Sequence, residues 1–243
     1  MAGCTGTGQS TGGNQEGRAV ATMADAAADM GAVSSVKVTV DSVRVHSATE
    51  GWVTISSAPH TYDLLQLKAE GKQALLADTK LDAGTYDQLR LDISSVVVTD
   101  AQGSHQAKLP SGELKIVGDL VVKANSTAAA VFDFKADESL HVTGEGQYIM
   151  APVVQLETRQ NADVTVRSSA DVAVSGGSVV TNVKVGMDAQ GRVGVGLGIP
   201  ANANLSIGSG STIIVGSGIG TAGSAGGSAS GSAGIGGSAG ITG

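Results

Sequence analysis

The first long pattern in the chain is Val36-Lys37-Val38-Thr39-Val40, in which three valines share one face and Lys37 and Thr39 the other. That period of two predicts a strand with one buried side. The phase then slips by one residue, so that Val43 and Val45 carry the apolar face, and a β-bulge at Asp41-Ser42 restores it. The same sequence of events recurs downstream. Leu89, Leu91 and Ile93 alternate with Arg90 and Asp92, the phase slips at Ser94-Ser95, and Val96 and Val98 continue the pattern. Two long strands, each with a mid-strand slip, predict strands that bend across a sandwich.

Shorter strands are predicted at Trp52–Ser56, Tyr62–Leu67, Leu114–Val117, Asp119–Val122, Ala128–Lys135 and Tyr148–Glu157. In the fifth of these Ala130, Phe132 and Phe134 point inward. Pro152 lies inside the last, which predicts an edge or bulged strand there. Leu64, Leu67, Leu75 and Leu76 are compatible with a helix, but Gly71 interrupts them. Thr22–Gly31 is the best candidate for a helical turn. Many short alternating strands separated by Gly, Asp and Asn define an all-β, antiparallel β-sandwich.

Past Arg159 the large side chains give way to Val and Gly, although β-like alternation persists over residues 162–207. Asp188-Ala189-Gln190-Gly191 predicts a hairpin turn between Val179–Met187 and Val193–Ile199. From about residue 208 the sequence is low in complexity, with one apolar island at Thr212-Ile213-Ile214-Val215. Glycine recurs at every third position at Gly220, Gly223 and Gly226, and again from Gly231 to Gly243. Four regions follow: a flexible tether over 1–17, a sandwich over 18–160, a Val/Gly-rich β extension over 161–207 and a Gly/Ser/Ala tail over 208–243, with a possible donor strand at 211–216.

Charge sharpens this division. Apart from Glu16, every charged residue lies between Arg18 and Arg192, and all six aromatics lie between Trp52 and Tyr148. The net charge of −7, from 15 basic and 22 acidic residues, is the wrong sign for nucleic-acid binding. No apolar run approaches the roughly 20 residues that span a bilayer. The single cysteine, Cys4, excludes an intrachain disulfide. Ala2-Gly3-Cys4 resembles the end of a bacterial lipoprotein signal, in which the cysteine becomes lipidated. The polar residues after it suit a tether, reaching about 20 Å in root-mean-square terms as a Gly-rich coil.

Catalytic motifs are formal only. Gly218-Ile219-Gly220-Thr221-Ala222-Gly223 matches a dinucleotide fingerprint, but no acidic residue follows it to bind a ribose. Gly8–Gly12 and Gly236–Gly240 match a nucleophile elbow without a scaffold to strain the serine. His46, His60, His105 and His141 lack metal-ligand spacing. Asp133, Asp137 and Glu138 are weak candidates for oxygen ligands to calcium at a strand end, with a solvated acidic turn as the plainer reading. Asn125-Ser126-Thr127 reads as a turn. No paired acid and base stand out, so neither an enzyme nor a cofactor is expected.

The body resembles the bacterial and archaeal family of domain of unknown function 4382. The residues that carry the resemblance are Val38–His46, Tyr62–Leu67, Ala83–Leu91, Ser111–Val117 and Gly146–Val154, in that order and spacing. The resemblance spans about residues 18–160. It implies an extracytoplasmic β-sandwich, often lipid-tethered. One departure is the first strand, which in the family usually ends in a Thr-Asp-Ala-Pro turn, whereas Met23-Ala24-Asp25-Ala26-Ala27 lacks the proline.

These readings converge on a non-enzymatic cell-surface or extracellular structural protein. Its expected partners are copies of itself, in a filament or surface layer built by β-strand addition, with membrane attachment through a lipidated Cys4. The assembly strand is Ser211, Thr212, Ile213, Ile214, Val215 and Gly216, with the N-terminal strand Arg18–Met23 as a further candidate. An uncharged aliphatic segment between small residues suits addition to an open sheet edge, and charge-free chains do not repel one another. The alternative is a tethered binding or adhesion module for a glycan, metal ion or protein, with the tails as passive spacers.

Overall fold

A computed structural model describes residues 15–25 and 30–216. Two six-stranded sheets form the body. The first runs, in spatial order, β16 (Val193–Gly194), β15 (Ser178–Met187), β12 (Val153–Gln160), β9 (Thr127–Phe134), β1 (Glu16–Asp25) and β5 (Ala74–Asp82). The second is built on two long neighbours, β2 (Ser35–Ser47) and β6 (Gly84–Asp100). The outer edge of β2 carries β3 (Gly51–Ser56) and β4 (His60–Asp63), and that of β6 carries β7 (Gly103–Gln106) and β8 (Glu113–Val122). Three hairpins lie outside these sheets: β10–β11 (Leu140–Val142, Tyr148–Met150), β13–β14 (Asp163–Ser168, Asp171–Ser175) and β17–β18 (Asn204–Ile207, Ile213–Gly216). Two short helices, α1 (Leu64–Glu70) and α2 (Ala136–Ser139), complete the described elements.

Both predicted phase slips are bulges, and they face each other. Thr39 pairs with Ser95 but Val40 with Ile93, so Ser94 is the extra residue on β6. Val40 is followed in the ladder by Ser42, so Asp41 is the extra residue on β2. The hydroxyl of Ser94 donates to Oδ1 of Asp41 at 2.8 Å, tying the two bulges together on the solvent side. The valines and leucines on both sides of the bulges therefore share one buried face. Across from them Ala130, Phe132 and Phe134 of β9 close the core, with the two phenylalanines fully buried.

Several expectations are corrected. Thr22–Asp25 ends a strand and does not start a helical turn; residues 26–29 of that stretch lie outside the described residues. β1 pairs parallel with β9 and antiparallel with β5, inside its sheet. Residues 19–23 are all buried, as both faces of an internal strand allow. With both edges used, Arg18–Met23 has no free edge for assembly. The predicted strand Tyr62–Leu67 is strand only to Asp63 and then helix. The Asp63 carboxylate accepts the Leu65 N–H at 3.1 Å as an N-cap, and Gly71, at φ 61°, ends the helix in the left-handed conformation. Gly71 is thus the stop signal of α1, not evidence against a helix.

Pro152 does not lie on an edge. The ladder breaks at Ala151-Pro152 into β11 and β12, and β12 is internal, between β9 and β15. The proline sits in the gap, where its carbonyl accepts from Met187 and its missing N–H costs no ladder bond. The residues after 160 also join the sandwich: β15 pairs with β12 along its length, and Val185 and Met187 enter the main core.

The turn at 188–191 forms as expected. The Asp188 carboxylate accepts the N–H groups of Gln190 and Arg192, each at 3.0 Å, and the Arg192 Nε at 2.7 Å. The strand after it is two residues long and does not reach Ile199. Gly196, at φ 72°, takes the backbone off the ladder.

Candidate functional site

The apolar island of the C-terminal region is ordered by a second, smaller core. Leu205 and Ile213 are buried at one end of the molecule with Ile149, Ala151, Ala189 and Ile199. This cluster seats the β17–β18 hairpin on the sandwich, and the N–H of Gly144 donates to the Leu205 carbonyl at 3.2 Å. Ser211, at φ 63°, lies in the turn, with Thr212 after it, and Ile213–Gly216 form β18. Alternation separates the strand into two faces: Ile213 points into the cluster, while Ile214 is 50% exposed. Val215, opposite Leu205, is 41% exposed at the hairpin's end. Among the described residues β18 pairs with β17 alone, so its other edge is open. From Asn204 to Gly216 no side chain is charged.

Beside the hairpin lies a groove of about 960 Å³. Its walls come from α2 and β10 on one side and from the loop after β16 on the other, with Val153, Lys184 and Gly186 contributing from the sheet. Gly186 is required there: a Cβ on it would lie 2.0 Å from the Leu197 carbonyl oxygen. Val142, Val195 and Leu197 line the groove and are exposed. His141 also lines it, and its Nε2 is buried without a hydrogen-bond partner. Burial pushes the His141 pKa below its ordinary value, which keeps the imidazole neutral. At the rim the Lys184 ammonium donates to both carboxylate oxygens of Glu138, at 2.7 and 2.6 Å.

The weak calcium candidates do not converge. Asp137 and Glu138 line the groove, and Glu138 is held by Lys184. Asp133 lines a different surface depression with Glu157 and Arg159, and accepts from Lys135 at 2.7 Å. Among the described residues no group of three or more His, Cys, Asp or Glu is placed to hold a metal ion. Cys4 and the glycine repeat beyond residue 217 lie outside the described residues.

Three of the four histidines sit in separate structural settings away from the groove. His46 bonds Asp87 at 2.7 Å and packs against Trp52, whose ring also carries the Arg90 guanidinium at 4.2 Å. Arg90 in turn pairs with Glu113 at 2.6 Å, and Arg44 pairs with Asp92 at 2.8 Å. Each of these guanidinium groups thus has a carboxylate partner, while the Nε of Arg44 and of Arg90 is buried without one. His60 stacks on Tyr62. His105 and the Tyr148 hydroxyl both reach Asp100, at 3.1 and 2.7 Å, and link the β6–β7 turn to β11. The Tyr148 hydrogen bond, helped by the Gln102 N–H, holds the Asp100 carboxyl down to about 2. These bonds tie the turn to the β10–β11 hairpin.

The groove was not visible in the sequence, because its walls come from segments dozens of residues apart. The one local signal was Val193, Val195 and Leu197 alternating with glycine, which reads equally well as a strand.

The fold and the sheet order define an all-β sandwich. Residues 17–152, more than half of the chain, match the family described as domain of unknown function (DUF4382), and the chain belongs to that family. Neither a curated protein nor a solved structure matches the chain. Among the described residues no helix is long and apolar enough to cross a membrane.

Proposed function

We propose that the protein is a non-enzymatic structural subunit of the cell surface or extracellular space that assembles with copies of itself by β-strand addition through Ser211–Gly216. One observation carries this reading: β18 is an uncharged strand, seated on the body by its own small core, with one edge that no described residue pairs and with Ile214 and Val215 exposed beside it. Open edges usually carry charge, proline or a covering element that prevents pairing. β18 carries neither charge nor proline. Lipid attachment through Cys4 belongs to the same proposal, as the anchor of the surface-bound subunit.

Deleting residues 205–243 tests it. The deletion removes no member of the main core, so the sandwich folds. The full chain is expected to form oligomers and the truncated chain to stay monomeric; equal assembly by both overturns the reading. A second reading, a tethered binding module, is favoured by the apolar groove and the unpartnered Nε2 of His141. A strictly monomeric chain whose thermal midpoint rises with an apolar ligand, calcium or a polysaccharide would support that reading instead.

A further inference from the structure

We infer that β18 pairs antiparallel with β18 of a second copy, across a two-fold axis at Ile214, joining two hairpins into one four-stranded sheet. The inference rests on the strand-addition reading and gives it a partner surface and a register. It follows from where the backbone groups of the hairpin point. The Gly208 N–H donates to the Thr212 carbonyl at 2.9 Å. Antiparallel ladders alternate between residue pairs that exchange hydrogen bonds and pairs that do not. Counting from that bond, Ser206–Ile214 and Asn204–Gly216 exchange bonds within the hairpin, while Ile207–Ile213 and Leu205–Val215 direct theirs outward. The β17 side obeys this, since the outward carbonyl of Leu205 is the one that accepts from Gly144. On β18 the outward groups belong to Ile213 and Val215, and no strand among the described residues meets them.

An antiparallel register centred on Ile214 engages all of these groups. Ile213 of each copy then exchanges bonds with Val215 of the other, and Ile214 faces its own counterpart. A register centred on Ile213 or on Val215 leaves the other residue's groups without a β18 partner. The side chains suit a like copy as well. At a two-fold axis the central residue faces its own copy, so a charge there would oppose a like charge. The hairpin has no charged residue, and none follows Arg192. Ile214, half exposed in the single chain, instead meets a second Ile214 in a non-polar cross-strand pair. Because the same patch is used on both sides, the contact is isologous and closes as a pair.

The test uses the full chain with Cys4→Ser and Ile214→Cys. Facing residues of a non-hydrogen-bonded antiparallel pair have Cα atoms about 4.5 Å apart, inside the roughly 4.4–6.8 Å that a disulfide spans. Mild oxidation is expected to give covalent dimers in high yield, and Ser206→Cys on β17 is expected to give none. Separately, Ile214→Lys puts two ammonium groups face to face at an exposed site that tolerates lysine in the single chain. It is expected to weaken dimerisation at least tenfold in sedimentation equilibrium, with unchanged circular dichroism. A chain that still assembles but does not cross-link through Ile214→Cys overturns this register and leaves strand addition standing. An unmodified chain that stays monomeric at high concentration overturns both.

Discussion

Leu205→Ala tests whether the β17–β18 hairpin is a separately seated unit. Leu205 is 3% exposed and belongs to the small end cluster, apart from the main core. Truncating a buried leucine removes its transfer free energy and leaves a cavity, together about 2–5 kcal/mol. The lower end applies here, because a cluster of six buried residues at the end of the molecule can relax into the space. A cost of about 2 kcal/mol multiplies the local opening constant about 30-fold. Hydrogen exchange followed by mass spectrometry reads this directly. Amides of residues 204–216 are expected to exchange about 30-fold faster, while those of β2 and β6 keep their protection. Exchange that rises equally across β2 and β6 would mean that the hairpin and the sandwich form one cooperative unit. Unchanged exchange in 204–216 would mean that Leu205 does not anchor the hairpin. Either result refutes the reasoning.

Other perturbations separate the remaining parts of the account. Phe132→Ala, at a fully buried site in the main core, is expected to cost about 3–5 kcal/mol in urea unfolding, and all strands of the sandwich should lose protection together. Asp63→Ala removes the cap of α1 and its bonds to Ser35 and Val36, and is expected to cost about 1–2 kcal/mol, read as a lower thermal midpoint. Gly186→Ala forces a methyl group against the Leu197 carbonyl, so the loop lining the groove must move; the expected cost is on the order of 1–3 kcal/mol, with faster exchange over 195–199.

Acid is expected to destabilise the fold in two windows. His141 titrates lower in the folded protein than in the unfolded chain, so unfolding takes up a proton between the two values. Its contribution is complete above about pH 6.5 and is lost as the pH falls through the folded value, and His141→Phe should flatten that slope in urea midpoints. Asp78 and Asp100 are both lowered, Asp78 by its hydrogen bond from Arg18 and Asp100 to about 2 by Tyr148. Their contribution is complete above about pH 4 and is lost toward pH 2.

The parts of the fold that were legible in the sequence are those with one wet face. β2 and β6 announced both their alternation and their bulges, because a slip in a period of two is visible residue by residue. β9 was legible for the same reason. β1 was legible only in part: Arg18–Met23 was read as a strand, but residues 19–23 are buried on both faces and leave no alternation to show that it lies inside a sheet. β5 was missed because a register shift against β1 skips Leu76 and turns alternation into the doublet Leu75-Leu76. Only the end of β1, from Thr22, read as a helical turn, and the parallel pairing with β9 that extends the strand to Asp25 is non-local. The candidate strand at 211–216 was legible as an apolar island in neutral surroundings. Its seat on Ile149 and Ala151, its open edge and the groove beside it depend on contacts between distant segments, which no local pattern records.

Sedimentation equilibrium of the intact, unmodified chain over a wide concentration range tests the central claim most directly. Assembly through the β18 edge predicts a mass that rises with concentration from one 23.9 kDa chain to two, and that stays at one chain when residues 205–243 are removed. A single-chain mass at every concentration, or an unchanged association after that deletion, would contradict it.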